Sequence, residues 1–494
     1  MKKTFYITTP LYYVNAAPHI GHAYTTLAAD ILTRYRRGRG ETVQLLTGTD
    51  EHGSKIEEAA QAAGVEPLAY ADSVVKEFKE LWQHLDVRFD DFIRTTEERH
   101  TRRVQAVFAH LQSTGDIYKG VYKGYYCVPC ETYWTETEAP PEKDVRRCPN
   151  KDCRKELKLT EEESFFFKLS KYEQPLLEFY EKNPGFLRPP HRAKEIVNFV
   201  KDGLRDLAVS RTKVRWGIPV LSAPEHVIYV WFDALQNYLT ATGYRPPGFT
   251  GDGEDRGGEL WPADVHFVGK EIYRFHTVIW PAMLMALEVA PPKSVFAHGW
   301  WTVEGQKMSK SKDNFIDPRE LTAEYGVDAF RYFLFREMPF GNDGDFSLEK
   351  FRGRYNAELA NDFGNLVSRA TNMVDKYLAG GLPDQPADEH IPVTRELHGK
   401  MPEYDRAMEA VALQEALDIV WSGVRRLNEH INATKPWELA KTNLDALPPL
   451  LFDLVGSLRI IGDWIAPFMP HTAAELQSML EGKIAKKPPL FPRK

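Results

Sequence analysis

Cysteine is scarce in this sequence: four residues in 494, all between positions 127 and 153. So sparse and local a set excludes a disulfide framework, which would spread its bridges through the chain. Apolar runs are short: no uninterrupted stretch reaches the about 18 residues of a membrane-spanning helix. The opening MKKTFYITTP has no apolar segment behind its two lysines, as a secretory leader would need. The expected compartment is the cytoplasm, with no membrane partner. Excess basic charge is also missing. A net charge of −7 argues against indiscriminate polyanion binding, although RYRRGRG at 34–40 is locally basic. Neither common nucleotide loop, G-x-G-x-x-G or Walker A, is present, and no serine-based catalytic triad is evident.

What is present is a globular composition, 43% hydrophobic and 27% charged, long enough for about three domains. The cysteines fall as C-x2-C-x17-C-x4-C. Two close pairs, with Pro129 and Pro149 in or beside them, make tight turns that aim thiolates at one tetrahedral ion. Cys127, Cys130, Cys148 and Cys153 are therefore expected to hold one structural zinc per chain, with no open position for catalysis. The looser C-x4-C half leaves the identity of the fourth ligand open.

Residues 4–9 are a β-rich run, 19–37 a helical one ending at Gly38 and Gly40, 42–53 a second strand, and SKIEEAAQAAG a second helix. This β-α-β-α order predicts a parallel sheet with its ligand crevice beyond the carboxyl ends of the strands, where Tyr13, His19, Asp50 and His52 fall. An aromatic-rich stretch over 116–225 interrupts the pattern, and EHVIYVWFDAL at 225–235 and DVHFVGK at 264–270 read as strands that resume it. Residues 243–260 read as a solvated loop. Beyond position 350 helical signals dominate: Leu413, Leu417, Val420, Val424, Leu427 and Ile431 make one apolar stripe, and the loop at 379–392 sets off the first helix. The predicted organisation is a Rossmann-type α/β parallel-sheet domain in two halves, 1–115 and 226–290, split by a zinc-binding insertion at 116–225. A lysine-loop region at 291–352 and an all-α helical bundle at 353–494 follow.

Two segments carry chemistry. In AAPHIGHAY, backbone N–H groups at a helix start favour an anion, His19 and His22 at i and i+3 add imidazole donors on the same face, and Gly21 leaves room for a flat ligand. In EGQKMSKSKDN at 304–314, three lysines and two serines after Gly305 make a cationic loop suited to closing over phosphates.

His19-Ile20-Gly21-His22 and Lys307-Met308-Ser309-Lys310-Ser311 resemble the two signature motifs of class I aminoacyl-tRNA synthetases. The resemblance extends through TTPLYYVNAAPHIGH, TGTDEHG, the cysteine knuckle, YVWFDAL and GKEIYRFHTVIWPAML to the helical tail, and is to the methionine-specific branch. It implies that the bundle binds the anticodon and that ATP activates L-methionine to an adenylate before transfer to initiator and elongator methionine tRNA. By resemblance His19, Gly21, His22, Glu271 and Lys310 bind ATP with Mg2+, and His19, His22, Lys307 and Lys310 are catalytic, Lys310 the more critical lysine. Leu11, Tyr13, Asp50, Trp231, Ala234, Leu235, Tyr238, Phe275, His276 and Trp280 line the methionine pocket, Asp50 meeting the ammonium. Asn365, Arg369 and Trp437 read the anticodon. The ending PPLFPRK, where many family members continue into a further tRNA-binding or dimerising module, leads us to expect a monomer. Two other readings stay open: another nucleotidyltransferase with the same His-Gly-His chemistry, or a non-enzymatic tRNA-binding zinc protein.

Overall fold

The computed structural model describes residues 4–128, 132–134, 136, 138–142, 145–150, 153–250, 255–303, 305–307, 316–384 and 391–494. They form two compact units: Met1–Pro18, Thr42–Trp82 and Arg88–Ala297 in one, His19–Glu41, Gln83–Val87 and His298–Lys494 in the other.

The first unit is built on strand β1 (Phe5–Tyr13), paired in parallel on one side with β2 (Val43–Asp50) and on the other with Val265–Gly269. β3 (Asp91–Arg94) extends the sheet in parallel beyond β2, and Val295–His298 and Leu187–Arg188 complete six strands. Strand order reverses at β1, which makes its carboxyl end the switch-point crevice of an open α/β sheet. Aromatic and β-branched residues suit a strand buried on both faces. The strand runs to Tyr13, past the expected end at residue 9, because Pro10 is absorbed rather than being a stop: the register with β2 shifts between Thr8 and Leu11. Gly48 of β2 lies so close to β3 that a Cβ would sit 2.0 Å from the Ile93 carbonyl oxygen.

Apart from Leu187–Arg188, which joins the parallel sheet, the strands of the interrupting stretch pair antiparallel. Ile117–Cys127 pairs with Lys158–Phe167, with Thr132–Trp134 on one edge and Leu207–Ala208 on the other. The run at 225–235 does not resume the parallel sheet. Its first part is a strand, Ala223–Ile228, antiparallel to Ser210–Arg211 and Pro219–Val220, and its second is a helix, Val230–Leu235. A short continuous apolar run carries no periodicity to tell the two apart. Residues 265–269 do join the sheet as expected. The 243–260 segment, expected as loop, ends in a short helix, Gly257–Leu260, and residues 251–254 lie outside the described ones.

The second unit is mostly helical. It includes α1 (Ile20–Gly38), and from Pro318 onward, apart from the short strand Gly344–Phe346, helices follow one another to Leu480. The helix Leu413–Thr434 buries every residue of the apolar stripe read from the sequence. At the centre of α1, Asp30 meets Arg331, Oδ2 to Nη2 at 2.6 Å, both side chains fully buried. The guanidinium also donates to the carbonyls of Leu85 at 3.2 Å, Pro467 at 3.0 Å and Phe468 at 2.9 Å. A buried pair so completely bonded costs about 3–5 kcal/mol to break from one side.

Candidate active site

α1 begins with an unusual cap. His19 is the N-cap residue, its Nδ1 accepting from the Gly21 N–H at 3.0 Å, while Nδ1 of His22 accepts from the His19 N–H at 3.1 Å. This is a capping box in which imidazoles replace the usual hydroxyl and carboxylate. The two rings lie 4.0 Å apart. Burial, with His19 adding to it, holds the His22 pKa well below the ordinary histidine value. A neutral imidazole that accepts at Nδ1 carries its proton on Nε2, so the cap makes Nε2–H the remaining donor of each ring. A Cβ on Gly21 would lie 2.8 Å from Cε1 of His19, so the bare Cα of Gly21 is what lets the His19 ring fold back.

At the switch point of the first unit, Tyr13 and Asp50 are register partners at the ends of β1 and β2. Asp50 is 2% exposed. The Trp231 ring stands edge-on to Tyr13 at 6.4 Å and stacks on Phe275 at 3.8 Å, while Lys55 lies over the Tyr13 face at 4.7 Å. Trp231, Ala234, Leu235, Tyr238, His276 and Trp280 are buried, and Leu11, Tyr13 and Phe275 pack half-buried against the same core. The ring of His276 is 6.2 Å from Trp231, and burial takes its pKa down to about 4. The expected pocket residues thus converge within one unit, a buried carboxylate near one end of an aromatic wall. Glu271 lies just past the Val265–Gly269 strand, its carboxylate close enough to Gly269 that a Cβ there would be 2.5 Å away.

The family model for class I tRNA synthetases (M) matches residues 5–371. The chain belongs to that family. It is 49% identical over 487 residues to a methionine–tRNA ligase of Caldanaerobacter subterraneus subsp. tengcongensis, covering 97% of this chain and 74% of the relative. A methionine–tRNA ligase of Thermotoga maritima is 47% identical, with 96% and 74% covered. Among solved structures, Mycobacterium tuberculosis methionyl-tRNA synthetase in complex with methionyl-adenylate superposes with a TM-score of 0.92 at 37% identity, covering 99% of this chain and all of that one. The apo form of that enzyme gives 0.85 at 34% identity, with 100% and 99% covered.

Lys307 falls in a short strand, Gln306–Lys307, antiparallel to Trp301–Val303, and Lys310 lies outside the described residues. The thiols of Cys127, Cys148 and Cys153 lie within 4.8 Å of one another, Cys127 and Cys153 at 3.5 Å; Cys130 is outside the described residues. Thiolates held 2.3 Å from one tetrahedral ion stand about 3.8 Å apart, so the three fit a zinc. In the helical unit, the Arg369 guanidinium is 5.9 Å from the Trp437 ring, and Trp437 is 39% exposed. Asn365 is exposed one helical turn before Arg369. Nη2 of Arg369 donates to Oδ1 of Asn432 at 3.0 Å, a partner the sequence reading missed.

Also missed was a buried set around Asp233. Oδ2 of Asp233 is 2.7 Å from Nδ1 of His52, Oδ1 is 2.7 Å from Nε2 of His100, and Nδ1 of His100 is 3.2 Å from the Thr240 hydroxyl. Burial alone would raise the Asp233 pKa; the imidazoles more than offset it and the carboxyl sits below its ordinary range. The only sequence signal was the polar character of Asp233 inside the apolar run YVWFDAL.

Proposed function

We infer that the chain joins L-methionine to the 3′ end of initiator and elongator methionine tRNA in two steps. Its similarity to methionine–tRNA ligases over nearly its whole length supports this. The observation that carries the reading is the pairing of Tyr13 with Asp50 at the strand ends, beside the Trp231–Phe275 stack. A buried carboxylate suits the substrate ammonium, and aromatic rings with a neutral imidazole suit a thioether, whose sulfur–aromatic contacts contribute about 0.3–1.5 kcal/mol each.

In the first step a methionine carboxylate oxygen attacks the α-phosphorus of ATP, the bond from that phosphorus to the α–β bridging oxygen breaks, and pyrophosphate leaves. The nucleophile belongs to the substrate, so the protein's work is positioning and charge stabilisation. The Nε2–H groups of His19 and His22 would donate to the phosphates, Glu271 would meet the ribose, and Lys307 and Lys310 would neutralise the departing pyrophosphate. Mg2+ carried in with ATP would screen the same oxygens. In the second step a terminal tRNA hydroxyl attacks the acyl carbon and AMP leaves. Arg369 and Trp437 would hold anticodon bases, one by hydrogen bonding and one by stacking. Cys127, Cys148 and Cys153, with Cys130, would hold a structural zinc.

The test is methionine-dependent exchange of pyrophosphate into ATP, run beside leucine, isoleucine and cysteine, followed by charging of methionine tRNA. Exchange with methionine alone is expected. No exchange with methionine would sink the reading.

A further inference from the structure

Three consecutive residues at the end of β2 point to three different partners. Asp50 ends the strand at the pocket. Glu51, fully buried, is clamped toward β3: Arg94 donates to both its oxygens at 2.7 and 2.9 Å, and the hydroxyls of Thr49 and Thr96 each donate at 2.6 Å. The Glu51 carbonyl accepts from the Trp216 indole at 2.5 Å. His52 turns the other way, to Asp233. Asp233 belongs to the helix Val230–Leu235, two residues after Trp231.

The chemistry of this second anchor is restrictive. A carboxylate only accepts, so Nδ1 of His52 and Nε2 of His100 must both carry protons. The Thr240 hydroxyl, 3.2 Å from Nδ1 of His100, can donate to that nitrogen or accept from it. Asp233 and His100 are fully buried and His52 is 6% exposed, so the bonds are shielded from exchange with water.

We propose that Asp233 is a positioning residue for methionine: by holding His52 it fixes Asp50 relative to the helix that carries Trp231, and so sets the span between the charged and aromatic ends of the pocket. The proposal rests on the methionine-activation reading. Asp233 touches no substrate; it acts through His52.

The experiment measures methionine KM, ATP KM and kcat in the exchange assay for Asp233→Ala, His52→Ala and Asp233→Asn. Displacing a binding group by a fraction of an ångström raises the methionine KM about 10-fold or more in both alanine variants, with the ATP KM held within about 2-fold. Asp233→Asn recovers most of this loss. Its carbonyl accepts from His52, and its amide donates to Nε2 of His100 once that ring moves its proton to Nδ1, where the Thr240 oxygen accepts it. If Asp233→Ala does not fold, the other two variants carry the test. An unchanged methionine KM in His52→Ala overturns the proposal. So does a fall in kcat with both KM values intact, because a residue that only supports the fold lowers the amount of active enzyme. Wild-type protein without methionine-dependent exchange would fail the functional reading itself, an outcome distinct from active wild type with an indifferent His52→Ala.

Discussion

The Tyr238 hydroxyl donates to Nε2 of His276 at 2.7 Å, and Nδ1 of the same ring donates to the Ile272 carbonyl at 2.9 Å. Nδ1 must donate to that carbonyl, and the Tyr238 hydroxyl can donate to an unprotonated Nε2, so the geometry accommodates the neutral imidazole that burial favours. An unfolded chain protonates this ring below about pH 6.5; the folded one does so only near its depressed value of about 4. The stability it contributes is therefore present above the first value and lost as pH falls through the second, on the order of 3 kcal/mol. Thermal melts stepped from pH 7 to 4 are expected to show a falling Tm, with a shallower fall in His276→Gln. An equal slope in that variant would assign the acid loss to other groups.

Asparagine is among the best N-cap residues, so His19→Asn separates the two jobs of the ring. His19→Ala is expected to lower stability by about 1 kcal/mol through the lost cap. His19→Asn restores most of that, yet both variants lose about 100- to 1000-fold in exchange rate because the Nε2–H donor is gone. Near-normal exchange by His19→Asn would reduce the histidine to a cap.

Gly21→Ala should raise helix propensity by up to about 1 kcal/mol while pushing the His19 ring off its seat. We expect an unchanged or higher Tm with at least about 10-fold slower exchange, measured on one preparation. A variant as active as wild type would show that the ring has room to move.

Zinc content by elemental analysis is expected at about one per chain, and Cys148→Ser should lose most of it, since each thiolate is an edge of one closed tetrahedron. Full metal retention by that variant would place the ion elsewhere.

Trp437→Ala removes a stacking surface worth about 1–3 kcal/mol per base. Charging of methionine tRNA should fall by about 10-fold or more, with pyrophosphate exchange untouched. Equal loss of both activities would point to a folding defect.

Periodicity made α1 and the helix Leu413–Thr434 legible, because each has one repeating apolar rhythm and room for no other. Spacing did the same for Cys127, Cys148 and Cys153, which converge as local turns would have them. Trp231 was harder: it sits in an apolar run that is strand up to Ile228 and helix from Val230, and only tertiary pairing decides where one ends. Pro10 hid the last turn of β1 for a similar reason, since a bulge is visible only against a partner strand. The Asp233 anchors, 181 and 133 residues distant along the chain, left no pattern at all. Groups that far apart are joined by the fold and by nothing in the local sequence.

The Asp30–Arg331 pair also fixes a time. α1, among the first helices to leave the ribosome, pairs Asp30 with Arg34 within its own next turn but finds the second, fully buried countercharge some 300 residues later, and that arginine waits in turn for the carbonyls of Pro467 and Phe468. At about 5–20 residues per second, synthesis keeps the helix that bears His19 and His22 without its final seat for tens of seconds. A nascent chain therefore keeps α1 short of its last buried contacts until its final helices are made, and a copy cut short before Pro467 would leave the Arg331 guanidinium without two of its carbonyl acceptors.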